Sequence, residues 1–162
     1  MRRRIITVAL ENQSGALSRV AQLFSARGYN INSLTVAPTE DPELSRMTIT
    51  TECSDSQCEQ VLKQINKLIE VYKTRDVTVR NYVERELMMV KVKAEGEMRA
   101  EIYRLADIFR ARIINVSDNS YIIEVTGVCA KLDAFLESLP TGAILETVRT
   151  GTAALTRDLS SA

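Results

Sequence analysis

Apolar and polar positions along the chain switch period, and the switches come in a repeating order. Ile5 to Leu10 is a β-rich apolar run. Leu17, Val20, Ala21 and Phe24 then fall at i, i+3, i+4 and i+7, the spacing of one helix face. Gly28 stands where that helix stops. Ile31, Leu34 and Val36 mark a second strand, Pro38 to Ser45 a polar loop and Met47 to Thr51 a third strand. Ser54 and Gln57 make a capping box ahead of a second helix face, Val61, Ile65, Leu68 and Ile69. Glu70 to Val77 reads as a fourth strand. The predicted order is β-α-β-β-α-β.

The second half predicts the same order. Leu87 to Ala94 is a strand, and Ile102, Leu105, Ala106 and Phe109 repeat the helix spacing. Ile113 to Val116 and Tyr121 to Thr126 form a hairpin about Asp118-Asn119-Ser120. Leu132, Phe135, Leu136 and Leu139 mark a helix that Pro140 ends, and Ile144 to Thr150 is the last strand. The repeat reaches single residues: Ala21, Phe24, Ala26, Arg27 and Asn30 in AQLFSARGYNI recur as Ala106, Phe109, Ala111, Arg112 and Asn115 in ADIFRARIINV. Agreement between element order and residue identity points to an α+β protein of two tandem ferredoxin-like βαββαβ domains. Their expected limits are 1–77 and 85–162, with a linker at 78–84. Each four-stranded sheet would leave one face and an edge to be covered, so oligomerisation is expected.

Composition narrows the chemistry. Twenty-one basic residues balance 21 acidic ones, which argues against a phosphate-neutralising nucleic-acid binder. The apolar run after the basic MRRR is too short for a signal core or a membrane span, so a cytoplasmic protein is expected. There is no His, and Cys53, Cys58 and Cys129 form no CxxC pair. Neither a zinc site nor a His-dependent triad is expected, and the cysteines read as semi-buried residues in a reducing compartment. No Walker loop, GxGxxG or GxSxG is present. PTEDPE reads as a solvated connection. No catalytic residue and no metal ligand is assigned.

The unusual feature is ENQSGALSRV, between the first strand and helix. A helix start leaves backbone N–H groups unpaired and carries partial positive charge. Gly15 admits close approach to the backbone, and the N–H groups of Gly15, Ala16 and Leu17 suit a carboxylate. Asn12 both donates and accepts, which suits an α-amino acid. Ala16, Leu17 and Ile31 would line a small apolar pocket. The alternative is that Ser14 or Asn12 only caps the helix. The matching loop of the second half, AEGEMRA, sets Glu95 and Glu97 beside Gly96, where they would repel an anion. The first half is therefore expected to sense a ligand and the second to serve docking or assembly.

ENQSGALSRVAQLFSARGYNINSLTVAPTEDPELSRMTI, VERELMMVKV and KLDAFLESL resemble the small, regulatory subunits of acetohydroxyacid synthase (acetolactate synthase), over nearly the whole chain. The resemblance implies an N-terminal ACT domain that binds an amino acid. It implies a subunit with no active site and no cofactor of its own. Such a subunit activates a separate catalytic subunit, which carries thiamine diphosphate, FAD and Mg²⁺, and it confers feedback inhibition by valine. By analogy with ACT domains, two chains pair as a homodimer with valine at their interface. Asn12, Gly15, Ala16 and Leu17 would come from one chain, and Asn30 and Ile31 from its partner. Glu95 to Arg104 match the family more loosely. An ACT-containing transcriptional regulator would need a DNA-reading element, and an acylphosphatase-like enzyme an Arg in the first loop; neither is visible.

Overall fold

The N-terminal apolar run becomes β1 (Arg2–Glu11), a strand in the middle of a sheet and buried on both faces. Ile6, Val8 and Leu10 point to one side, while Ile5 and Thr7, also buried, point to the other. The computed structural model describes residues 1–157. They fall into two units, one of Met1–Val83 with the segment that begins at Thr152, the other Glu84–Gly151.

In the first unit β1 is followed by α1 (Ala16–Ala26), β2 (Ile31–Pro38), β3 (Leu44–Cys53), α2 (Asp55–Ile65) and β4 (Val71–Asp76). The sheet order is β2-β3-β1-β4 and every pairing is antiparallel. Val20 and Phe24 of α1 and Val61 and Ile65 of α2 pack with Ile6, Val8, Met47 and Ile49 into one core. Both helices therefore cover the same sheet face. Local signals set their ends. Ser54 Oγ accepts from Gln57 N (3.3 Å) and Gln57 Oε1 from Ser54 N (2.9 Å), completing the capping box. Gly28, at φ +67°, ends α1 with Gly28 N donating to Ser25 O and Tyr29 N to Phe24 O.

The second unit repeats the plan with β5 (Tyr82–Lys93), α3 (Met98–Ile108), β6 (Arg112–Val116), β7 (Ser120–Gly127), α4 (Cys129–Ser138) and β8 (Ile144–Arg149), ordered β6-β7-β5-β8. Its core joins Met88, Val90, Val92 and Ile123 to Ile102, Ala106, Leu132 and Phe135. The two tandem ferredoxin-like βαββαβ units expected from periodicity are present.

Four details differ from the periodic reading. The inner stripe of α1 is Ala16, Val20 and Phe24; Ala16 is 4% exposed and Leu17 39%. Helix α2 stops at Ile65, where Lys67 N and Leu68 N turn back to Gln64 O and Ile65 O, so Ile69 is left 89% exposed. The expected linker shrinks to a turn, because Thr78 N bonds Asp76 Oδ1 (2.9 Å), Arg80 N bonds Val77 O (3.0 Å) and β5 begins at Tyr82. Lastly, Ala153–Thr156 form an unexpected strand, β9, which pairs β5 and buries Ala154 with Ile5, Val77 and Tyr82. Its chain segment belongs with the first unit, although 85–162 was expected to form the second domain.

Candidate functional site

The loop after β1 is built by its two neighbours. β1 pairs β3 through Glu11↔Leu44, which brings the β2–β3 connection beside Asn12. Asn12 N donates to Glu43 O (2.8 Å) and Asn12 Nδ2 to Pro42 O (2.9 Å). Glu11 N donates to Glu70 O (2.8 Å), and the buried Glu70 carboxylate pairs with Arg19 on the first turns of α1. The helix start is therefore tied to two neighbouring connections.

Gly15 is the residue before the helix, at φ +89° and ψ −17°, and no side chain caps α1. The capping role left open for Ser14 or Asn12 is not filled by either. Ala16 N makes a long bond to Gln13 O (3.4 Å) and Arg19 N reaches Gly15 O (3.0 Å). Among the described residues, no acceptor meets the N–H groups of Leu17 or Ser18. Nothing lies within 4 Å of the position of a Cβ on Gly15. Glycine is needed there for its left-handed backbone, not to relieve a close contact.

Asn12, Ala16 and Leu17 line a depression of about 200 Å³, with Leu10, Val36 and Pro38 as further walls. Gly15 stands outside that lining. Most of the lining is apolar; Glu11, Asn12, Gln13 and Ser45 are its polar residues, beside the first-turn N–H groups. This arrangement suits a small zwitterion with a short apolar side chain. Nearby, Tyr72 Oη donates to Glu11 Oε1 (3.5 Å), and desolvation by its neighbours, then the Glu11 charge, push the exposed Tyr72 phenol above its usual range.

Asn30 and Ile31 lie at the far end of α1, whose 11 residues span ~16 Å. Asn30 Nδ2 donates to Asn32 Oδ1 (3.1 Å), and Asn30 O accepts from Thr51 Oγ1 (2.6 Å). Asn30 lines a different hollow, of about 510 Å³, with Gly28, Tyr29 and Glu52. Ile31 packs against the core. Within one chain, then, the structure gathers Asn12, Ala16 and Leu17 and keeps Asn30 and Ile31 apart from them. The Pro42 and Glu43 carbonyls and the Val36 and Pro38 walls were not assigned from sequence. The Glu11↔Leu44 register that brings them in is a tertiary property.

The second repeat treats its loop differently. Arg99 Nη1 donates to Ala94 O (3.2 Å), Ser117 O (3.1 Å) and Asp118 O (2.9 Å), and its guanidinium lies 4.8 Å from the Tyr121 ring centroid. Glu95 pairs with Lys93 (3.2 Å). An internal arginine thus ties the start of α3 to the β6–β7 hairpin. Elsewhere, no group of three or more His, Cys, Asp or Glu able to hold a metal ion occurs among the described residues. Cys53 and Cys58 are buried free thiols, and burial pushes Cys58 up to about 12. Neither is a reactive nucleophile. No described helix is long and apolar enough to cross a membrane.

The fold and the first loop define a protein of the ACT class: residues 6–73 match the model described as the AHAS small subunit-like ACT domain. Residues 85–158 match the model for the small subunit of acetolactate synthase. The chain is 49% identical to the acetolactate synthase small subunit of Haemophilus influenzae and 51% identical to the isozyme 3 small subunit of Escherichia coli, with 96% of both chains covered in each case. The crystal structure of the Thermotoga maritima acetolactate synthase small subunit superimposes with a TM-score of 0.89 at 41% identity, covering 97% of this chain and 98% of that one. This chain belongs to the acetolactate synthase small-subunit family.

Proposed function

We propose that this protein is the non-catalytic regulatory subunit of an acetolactate synthase. It activates a separate catalytic subunit and confers feedback inhibition by valine in branched-chain amino-acid biosynthesis. The observation that carries the reading is the uncapped start of α1, whose Leu17 and Ser18 N–H groups stand beside an apolar depression lined by Asn12, Ala16 and Leu17. A helix start of this kind attracts a carboxylate, and the depression accepts a short aliphatic side chain. Family membership supports a catalytic-subunit partner. In this reading thiamine diphosphate, FAD and Mg²⁺ are assigned to that partner.

Asn30 and Ile31 join the site from the partner chain of a homodimer in this reading. Their distance from Asn12 along α1 favours that division. Valine then bridges two chains and favours one dimer geometry, which the catalytic subunit reads. The coupling is reciprocal: if valine weakens an activating contact, that contact weakens valine binding by the same factor. The setting is the bacterial cytoplasm.

The test is titration of the purified chain into an acetolactate synthase catalytic subunit, with and without valine. Activation that valine reverses is the expected result. A chain that neither stimulates the catalytic subunit nor makes it valine-sensitive overturns the proposal.

A further inference from the structure

The PTEDPE connection is more ordered than its composition implies. Thr39 N donates to Leu44 O (2.8 Å) and Leu44 N to Asp41 O (3.1 Å), closing the turn. Asp41 is bonded at three places. Its Oδ1 accepts from Glu43 N (2.9 Å), its N donates to Thr39 Oγ1 (3.2 Å), and its O also accepts from Thr39 Oγ1 (3.2 Å). The two carbonyls that follow, those of Pro42 and Glu43, are the ones that hold Asn12 Nδ2 and Asn12 N. Pro42 fixes its own φ and has no N–H to bond elsewhere, so the aim of this turn depends on the bonds that Asp41 makes.

We infer that Asp41 is a positioning residue of the amino-acid site: its carboxylate shapes the β2–β3 turn, and that turn sets Asn12. This rests on the functional reading above. A consequence follows for recognition. With one Nδ2 hydrogen engaged by Pro42 O, Asn12 keeps its Oδ1 acceptor and a second N–H for a ligand. An acceptor at that place suits the α-ammonium of an amino acid, while the first-turn N–H groups suit its carboxylate. Asp41 touches neither group and acts through the turn.

The test is calorimetry of L-valine with the full chain, in the natural form and as Asp41→Ala and Asp41→Asn. Asparagine keeps an oxygen that accepts from Glu43 N; alanine does not. Asp41→Ala is expected to weaken valine about five- to tenfold, the scale of one lost hydrogen bond, and Asp41→Asn to stay within about twofold. Amide exchange at Asn12 and Glu43 should quicken in Asp41→Ala and not in Asp41→Asn. Unchanged valine affinity in Asp41→Ala overturns the inference, as does an Asp41→Asn variant as weak as Asp41→Ala. If Asp41→Ala does not fold, the natural chain decides alone. Valine should slow exchange at both Asn12 and Glu43, and slowing at Leu17 and Ser18 without change at Glu43 contradicts the link. No valine binding by the natural chain removes the functional reading itself, and this inference with it.

Discussion

Gly15 offers two substitutions with opposite effects on stability and on ligand binding. Its φ of +89° strains any L side chain, by about 1–2 kcal/mol for alanine. No atom stands within 4 Å of an added Cβ, so backbone strain is the main cost. Gly15→Ala should therefore destabilise the chain by about 1 kcal/mol and keep valine affinity within a few-fold. Aspartate tolerates the left-handed region better than alanine, and at the start of a helix its charge adds about 0.3–1 kcal/mol of helix stability. Gly15→Asp should thus melt above Gly15→Ala. A bound carboxylate would meet the new charge at roughly 6 Å. With an effective dielectric of about 20 to 80 the repulsion is about 0.7–3 kcal/mol, a loss of about three- to hundredfold in affinity. Thermal unfolding and valine calorimetry on both variants make the assay. The more stable variant should be the weaker binder. Equal valine affinity in the two variants would refute the placement of the carboxylate at this helix start.

Other predictions concern the scaffold. Phe24 is buried in the first core, so Phe24→Ala should cost about 3–5 kcal/mol in chemical unfolding, and a loss below about 1 kcal/mol would show that its packing is misjudged. Burial, then the charge of Asp76, raises the Cys58 thiol from 9.0 to about 12. The folded chain holds that proton more tightly, so this stability is intact below about pH 9 and falls as pH rises toward 12, by about 1.4 kcal/mol per unit. Cys58→Ala should flatten the alkaline part of a urea-stability profile, and an unchanged slope contradicts the assignment. Ala154→Asp would bury a charge against Ile5 and Val77 and should destabilise the chain by several kcal/mol. If its melting temperature matches the natural chain, β9 does not hold that cluster closed.

The parts of the fold legible in sequence were those decided locally. The Ser54–Gln57 capping box and the Gly28 stop depend on a few adjacent residues, and both stand where the sequence puts them. The strands were legible because β1 holds a continuous apolar run and β5 alternates toward a core. What failed depends on distant partners. Leu17 and Ala16 both fit an apolar stripe, and only the packing of the first core chooses Ala16. Ile69 continued the helical spacing, but the chain turns after Ile65 to feed β4, which β1 pairs. Ala153–Thr156 is too short to show a period, and it is a strand because β5 receives it.

The site divides in the same way. The glycine, the helix start and Asn12 were legible because loop and helix adjoin in sequence; that no side chain caps the start was not. The contrast with AEGEMRA was legible too, although its physical content is Arg99 tied to the β6–β7 hairpin as well as the acidic residues. The anchoring of Asn12 by Pro42 and Glu43 was not legible. It depends on the β1–β3 register, and PTEDPE looks like solvated chain until Asp41 is seen to bond within it.

In the proposed function an amino-acid effector sits on the start of α1 and not on its counterpart in the second repeat. The direct measurement is a valine titration of the isotopically labelled full chain, followed by backbone amide resonances. The largest shifts should fall at Asn12 and from Gly15 to Ser18, with Gly96 to Arg99 unmoved. Shifts centred on Gly96 to Arg99, or none at Gly15 to Ser18 under saturating valine, would contradict it.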